Sequence, residues 1–464
     1  MSFLVGLAFL TYVNRAPFGD DAWFAEQSYW FYKDGVIRSE YFRGLLGWEN
    51  QILVSHKLFL IFGAGLIFLF GYEQPVLQLT GFLFFCIIIS ELLFYIRNRE
   101  HVLNAWLIPA ILVLVFANRL LIKLSFHNRP EMMLAALGFG SFLLLRNSNP
   151  RIWKVVLSGV LAGIAFLCHL NGVIYLIAGF GLLVYLKDYR NAAWFGIAGG
   201  LTSLLYFADV LAANNGINIW YYQFSGDPAT QNAFGLSSKL IQMLTYPRMF
   251  LHSPEQMALS VLLIFLVWHQ RKHLRFLPVN LRVYALFIFL SFWVITKSNS
   301  ALYMILFIPF MLVLVYELYR IEPFTNRMLQ LVLSAYLVIG VVGMCQLIHT
   351  NFTMGSLPVA YEKLRKHIPD DKTGFVPLTF FFDEYEEYPR LLTHENYMLQ
   401  FKKKGLTTFN MAKWAHQKGA GFILMDYKLR PEKYYPKAGT KFIPYYKLSF
   451  HDGRFSVYIK RKDK

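Results

Sequence analysis

The chain has 464 residues, of which 56% are hydrophobic, 18% aromatic and only 16% charged. A soluble domain carries about a quarter charged residues, so this balance excludes a wholly soluble protein and points to a polytopic membrane protein. The formal charge of +17 does not indicate nucleic acid, because the Lys and Arg residues fall in short clusters between apolar runs, as topology requires at one membrane face.

Residues 1–14 are apolar but span only about 21 Å at 1.5 Å per residue, which suggests a short first span, or a start codon placed too late, rather than a cleaved signal peptide. Further spans are expected near 75–96, 103–121, 130–146, 153–169, 172–187, 193–212, 257–269, 282–296, 300–319 and 328–349. The run 57–71 opens on His56-Lys57 and holds Gly63 and Gly65. Read as an interfacial helix instead of a crossing, it puts five basic loops on one side: Arg97-Asn98-Arg99, Arg146 to Lys154, Lys187 to Arg190, His269 to Arg275 and Arg320 to Arg327. The segments 15–74, 122–129, 213–256 and 350–464 then share the opposite face. The count is about eleven spans, in a plasma (inner) membrane, with an outside C-terminus.

From 350 the composition becomes that of a soluble α/β domain of about 110 residues. Helices are expected at Val359–Ile368 and Asn410–Lys418, and strands at Gly374–Phe382 and Gly421–Tyr427. A final hairpin of Lys441–Phe450 and Arg454–Lys460 turns at His451-Asp452-Gly453. The domains are therefore a transmembrane catalytic domain, 1–349, and an extracytoplasmic domain, 350–464. Cys86, Cys168 and Cys345 all lie in apolar runs, which suits neither a disulfide framework nor a cysteine metal site.

Chemistry concentrates in the first outer loop, at Gly19-Asp20-Asp21-Ala22-Trp23-Phe24-Ala25-Glu26. Asp20 is placed as the N-cap of a helix running to Lys33, with Gly35 as terminator and Asp21 in the first turn. Successive helical side chains point about 100° apart, so the two carboxylates cannot serve the helix end equally and one is available to face a cleft. Arg15, Lys33, Arg38 and Arg43 surround the pair in sequence, which suits an anionic lipid headgroup.

Asp20-Asp21-Ala22-Trp23-Phe24-Ala25 resembles the Asp-Glu-Ala-x-Tyr-Ala motif of GT-C membrane glycosyltransferases. The branch it resembles holds the protein O-mannosyltransferases and the lipid A aminoarabinose transferases. The resemblance makes Asp20 the catalytic carboxylate and Asp21 the replacement for the motif's Glu. Glu49, ahead of His56-Lys57-Leu58, stands where the family has an acidic residue before Lys-Pro-Pro-Leu, although the prolines are missing here. Asn128-Arg129-Pro130-Glu131 resembles the family's Arg-x-Asp/Glu element, and Cys168-His169-Leu170-Asn171-Gly172 its His/Arg-Pro-x-Gly element. Lys297, followed by Tyr303 and Pro309, resembles a basic residue ahead of a Tyr-x-x-x-x-x-Pro span. The matches run from about residue 15 to 320.

The resemblance implies transfer of a hexosyl or pentosyl group from a polyprenyl-phosphate donor to a lipid, glycan or protein acceptor, with inversion at the anomeric carbon. Asp20, with Asp21 and Glu49, would be catalytic. Arg129, Lys297 and Tyr303 would hold the donor phosphate, and Lys57, Glu131, His169 and Asn171 are further site candidates. No organic cofactor is implied; a divalent metal at His127, Glu131 and His169 is the lesser alternative. Structural alternatives stand beside these roles: Arg129 as a snorkelling interface residue, His169 as a helix-end residue and Tyr303 as part of an aromatic belt. At the level of function the alternatives are a transporter or flippase for a lipid-linked sugar, and a non-catalytic scaffold. The soluble outer domain, the acidic loop and the absence of repeated halves speak against the first, and the constellation of Asp20, Arg129 and Lys297 against the second.

Overall fold

The computed structural model describes residues 1–17, 19–99, 107–147, 149–228, 233, 235–296, 299–322, 327–370, 372–385, 388, 390–401, 405–429 and 431–461. Two compact units emerge. The first comprises Met1–Val13, Ser55–Phe59 and Gln78–His349; the second comprises Asn14–Val54, Leu60–Leu77 and Thr350–Lys464. The division therefore does not fall at 349/350 alone, because most of residues 15–74 group with residues 350–464.

The first unit is helical, and its helices follow the expected apolar runs. Those runs form helices because a helix bonds its backbone internally, as a bilayer demands. Among the described residues, three helical stretches are long and apolar enough to cross a membrane: Gln74–Arg99, Tyr189–Ala212 and Arg327–Arg365. Shorter apolar helices include Leu107–Phe116, Pro130–Leu145, Ile152–Cys168, Leu170–Tyr185 and Val279–Ile295. Residues 103–106 of one expected span lie outside the described residues.

Local chemistry shifts several expected boundaries. The helix Tyr189–Leu204 begins four residues before the expected 193, because Asp188 accepts the Asn191 N–H at its N-terminus. Pro254–His269 starts early in the same way, on a capping box formed by Ser253 and Gln256. The expected continuous span 300–319 is instead a 3-10 turn, Ala301–Leu306, followed by the helix Ile308–Ile321 with Pro309 in its first turn.

Small residues bring helices together. A Cβ on Gly159 would lie 2.6 Å from the Phe195 carbonyl, and one on Gly163 would lie 2.7 Å from that of Gly199. Ile152–Cys168 and Tyr189–Leu204 thus pack backbone to backbone. Charged and amide side chains tie one end of the unit. Glu317 accepts from Arg99 at 2.8 Å and from Arg320 at 3.1 Å. Asn280 donates to the Leu145 and Asn147 carbonyls, Arg146 stacks on Phe94, and Gln270 donates to the Glu322 carbonyl. Four of the five expected basic loops converge there.

The second unit carries a six-stranded sheet in the order β2-β1-β3-β6-β5-β4. Its strands are β1 (Gly374–Val376), β2 (Leu391–Thr393), β3 (Phe422–Asp426), β4 (Phe442–Ile443), β5 (Tyr446–His451) and β6 (Phe455–Lys460). β1 pairs in parallel with β2 and β3; the remaining pairings are antiparallel. Every residue of β3 is buried, as expected for a central strand. Phe375, Tyr397, Met411, Trp414 and Ile423 belong to the core on which the helices rest.

The expected hairpin around 451–453 is present as β5 and β6, though the expected strand Lys441–Phe450 is broken at Pro444 and Tyr445 into β4 and β5, which pair antiparallel, and the two expected helices appear as Leu357–Arg365 and Thr408–Gln417. The expected strand Gly374–Phe382 is cut short. It ends at Val376, because Pro377 has no N–H to donate and opens the turn Leu378–Phe380. β2 and the helix His394–Phe401 that follows it were not expected.

The first loop folds against these elements within the same unit. Asn396 donates to the Tyr41 carbonyl at 2.9 Å and to the Arg43 carbonyl at 3.1 Å. Tyr29, Tyr41 and Tyr72 set their rings around Phe381 at 5.9, 5.1 and 5.5 Å. The run 57–71 forms the helix Lys57–Phe70, closed by Gly71 at φ +85°.

Candidate active site

The first-loop helix is Gly19–Asp34, and Gly35, at φ +69°, ends it by donating to the Phe31 carbonyl. The expected cap is corrected: the helix already includes Gly19, so Asp20 and Asp21 both stand in its first turn, where the helix dipole favours negative charge. Their surroundings differ sharply. Asp21 is fully buried, whereas Asp20 is exposed and lines a cavity of ≈460 Å³. Other walls of that cavity are Thr379, Glu395 and Asp426 of the same unit.

Glu26, two helical turns further on, organises the chain that follows. Its buried carboxylate accepts from the Ser39 hydroxyl at 2.6 Å, the Glu40 and Tyr41 N–H groups at 2.5 and 3.0 Å, and the Trp30 indole at 3.4 Å. Burial pushes Glu26 up to about 8, against the opposite pull of Ser39, the Tyr41 N–H, Trp30 and Arg38. Arg38 lies over the Trp30 ring and pairs with Asp34 and Glu40. Glu26 thus fixes residues 38–41 to the helix whose first turn bears Asp20. The sequence singled out the motif that ends at Glu26 but gave that residue no role. Glu49 lies in the turn beyond, accepts the Gly44 N–H at 3.2 Å and is not among the residues lining the Asp20 cavity.

At the strand ends beside the cavity, His394 shares a hydrogen bond with the Leu424 carbonyl at 2.9 Å, and burial pushes its imidazole down to about 4. The ring is therefore neutral at physiological pH, and the bond to the carbonyl requires the proton on Nε2. Asp426 accepts from the Lys428 and Leu429 N–H groups and is gripped by Arg454 at 2.9 Å. It fixes the end of β3.

The remaining candidates belong to the first unit and are described there by themselves. Arg129 precedes Pro130–Leu145 and is held by Glu131 through two contacts, Nε at 3.1 Å and a terminal nitrogen at 2.9 Å. Both side chains are buried, so each stabilises the other's charge away from water. The Cys168 thiol meets the Pro130 carbonyl at 3.6 Å, joining this helix start to the end of Ile152–Cys168. His169 follows immediately. Its Nδ1 accepts the Asn171 N–H at 2.9 Å, its ring stacks on His56 at 4.4 Å, and the Tyr303 ring meets it edge-on at 5.9 Å. Lys57 is buried, donates to the Tyr206 carbonyl at 2.5 Å and pairs with Asp209.

The structure therefore brings His169, Asn171 and Tyr303 together with His56, next in sequence to Lys57. His56, Tyr206 and Asp209 were not expected; Asp209 closes an apolar run, and no local pattern links it to Lys57. Lys297 lies outside the described residues. Among the described residues no group of three His, Cys, Asp or Glu side chains is arranged to hold a metal ion, so His127, Glu131 and His169 do not form one.

No family model and no curated protein matches the sequence. Solved structures match over nearly its whole length. ArnT from Cupriavidus metallidurans bound to undecaprenyl phosphate aligns with a TM-score of 0.60 at 14% identity, covering 98% of this chain and 96% of that one. The same protein in the apo state gives 0.58 over the same shares, also at 14% identity. The Archaeoglobus fulgidus oligosaccharyltransferase in complex with zinc and sulfate gives 0.50 at 12% identity, covering 91% of this chain and 67% of that one. These likenesses show that the chain has the fold of the GT-C membrane proteins.

Proposed function

We propose that the chain is an integral-membrane glycosyltransferase that moves a hexosyl or pentosyl group from a polyprenyl-phosphate donor to an acceptor hydroxyl on the outer face of the membrane. The observation that carries this reading is the exposed Asp20 carboxylate lining a cavity in a GT-C fold. The solved relative ArnT, bound to undecaprenyl phosphate, supports the donor class.

In this reading the acceptor oxygen attacks the anomeric carbon while Asp20 takes the hydroxyl proton. The bond from that carbon to the phosphate oxygen breaks, and polyprenyl phosphate leaves as an anion that needs no general acid. Direct displacement inverts the anomeric centre, unlike the two-carboxylate retaining route. Asp21 and Glu49 support the loop that bears the base. Arg129, Lys297 and Tyr303 take the donor phosphate, a role suited to guanidinium and ammonium groups, with Lys57, Glu131, His169 and Asn171 as their neighbours in function. The exchange needs no organic cofactor. About eleven spans cross the plasma membrane, the basic loops face the cytoplasm, and residues 350–464 lie outside with the first loop.

Mass spectrometry of cell-envelope glycolipids and glycoproteins, with and without the gene, tests the reading. One glycoconjugate should lose a single sugar in the deletion strain and regain it on complementation. An unchanged glycan profile would overturn it.

A further inference from the structure

In the first unit, the helix Leu236–Thr245 has no buried residue. Leu236, Leu240 and Leu244 recur every four positions and so share one side, with Ile241 next to them; all four are exposed. Ser238 and Gln242 fall on the opposite side. Lys239 is the only charged residue of this helix. A continuous exposed apolar stripe on one helix face marks an interaction surface.

The other side is tied to the rest of the unit. Lys239 donates to the Thr296 carbonyl at 2.6 Å. Carbonyls at a helix C-terminus have no partner within the helix. Here the Gln242 carbonyl accepts from the Asn299 amide at 2.6 Å, and the Met243 carbonyl from the Trp293 indole at 2.9 Å. Tyr246 and Met249, just beyond, are buried, and the Tyr246 hydroxyl donates to the Phe289 carbonyl at 3.1 Å. Side-chain donors thus stand where water would serve a soluble helix, as a water-poor setting demands.

The direction of the helix identifies what covers the stripe. Leu236–Met249 meets Pro254–His269 at 84°. Pro254–His269 covers the expected span 257–269, so Leu236–Met249 runs nearly parallel to the membrane plane. In the corner between them, Pro247, Phe250, Leu251, Leu263, Ile264 and Phe289 are among the walls of an apolar cavity of ≈340 Å³. Ile264 and Phe289 are exposed, so the surface beneath the corner is apolar as well. Hydrocarbon beneath an interfacial helix requires both features.

We propose that Leu236–Thr245 is an in-plane helix seated in the membrane interface, with Leu236, Leu240, Ile241 and Leu244 inserted among lipid acyl chains. Its partner is the bilayer itself. This part of 213–256 is then neither an aqueous loop, as the charge pattern suggested, nor part of a crossing. The assignment is independent of what the chain transfers.

Spin labels test it in the full chain, in lipid nanodiscs. The exposed Cys86 and Cys345 are changed to Ala and the buried Cys168 is kept. Leu236→Cys, Leu240→Cys and Leu244→Cys, each alone, then carry a nitroxide. Relative accessibility to oxygen and to an aqueous nickel complex should place all three at one depth, about 5–10 Å into the headgroup boundary. Ile264→Cys, ten residues into the span and so about 15 Å along it, should read near the bilayer centre. Lys272→Cys, at an exposed turn, should read as aqueous. A depth that grows from Leu236 to Leu244 by about 12 Å, the rise of eight residues, would make the two helices a broken span and overturn the proposal. Labels as accessible to nickel as Lys272→Cys, or shielded from both reagents, overturn it too, in favour of water or of covering protein. Where a labelled variant misfolds, the unmodified chain gives the answer. A phospholipid with a photoreactive group near the head of its acyl chain should mark 236–245 more heavily than one with the group at the chain end. Equal or reversed marking overturns the proposal.

Discussion

In the first unit, neighbours in space are often near neighbours in sequence. Ser141 and Ser158, on consecutive helices, exchange hydrogen bonds of 2.8–3.0 Å. In the second unit the Asn396 amide holds the Tyr41 carbonyl across 355 positions of chain. The Ser141–Ser158 contact needs only one short connection between apolar helices, although Arg99 reaches Glu317 across 218 positions in the same unit. The Asn396–Tyr41 contact closes a very long loop, which contributes little until both ends are already structured. The cavity that holds Asp20 belongs to the second kind, so its geometry depends on contacts that no local pattern announces.

The largest expected effect lies in the first unit. Arg129→Ala leaves Glu131 buried without its cation and should cost about 3–5 kcal/mol of stability. The double variant Arg129→Gln, Glu131→Gln removes both charges and should recover most of that loss in thermal unfolding. It should still use a polyprenyl-phosphate donor at least about tenfold less well, the scale of one lost charge-assisted contact. Wild-type donor kinetics in the double variant would remove Arg129 from the donor role.

Two asparagines sharpen the contrast between the units. Asn280 holds the Leu145 and Asn147 carbonyls in the first unit, as Asn396 holds those of Tyr41 and Arg43 in the second. Replacing either by Leu strands two carbonyls and should cost about 2–4 kcal/mol. Limited proteolysis should then cut 37–50 in Asn396→Leu but leave that segment protected in Asn280→Leu. Equal protection in both would dissolve the distinction.

A smaller effect concerns pH. The Glu26 pKa is raised to about 8 in the fold from an ordinary value of 4.5. A raised carboxyl contributes stability that is complete below about pH 4.5 and is lost as pH rises through about 8. Thermal stability of the second unit should therefore fall between about pH 4.5 and 8, and Glu26→Gln, which mimics the protonated form, should flatten the slope. An unchanged slope would show that another group carries the dependence.

How much could be read in advance follows the same division. Apolar runs such as 130–146 and 153–169 announced their helices within a residue or two, because a bilayer leaves few alternatives. The Asp20–Asp21 helix was legible from its acidic start and Gly35, although its first residue was misplaced by the cap assignment. β2 escaped notice because Leu391–Thr393 is three residues long, too short to display a period. The strand after Gly374 was overextended because the apolar Phe380–Phe382 continues past Pro377 into a turn and a short helix. Glu395 carried no signal in sequence; only the parallel register of β1, β2 and β3 brings it to the cavity.

The neighbouring carboxylates Asp20 and Asp21 offer the most direct test. Asn keeps the shape of Asp, and one charge lost from the first turn costs only about 0.3–1 kcal/mol, so neither Asn variant should unfold the protein by losing the end of the helix. Sugar transfer and thermal unfolding should be measured for both in the same membranes. Asp20→Asn should insert and melt like the wild type while transfer falls at least about 100-fold, the lower range for losing a general base. Asp21→Asn, changed at a buried position away from the cavity, should retain more activity. A folded Asp20→Asn protein that transfers sugar at the wild-type rate would contradict the account.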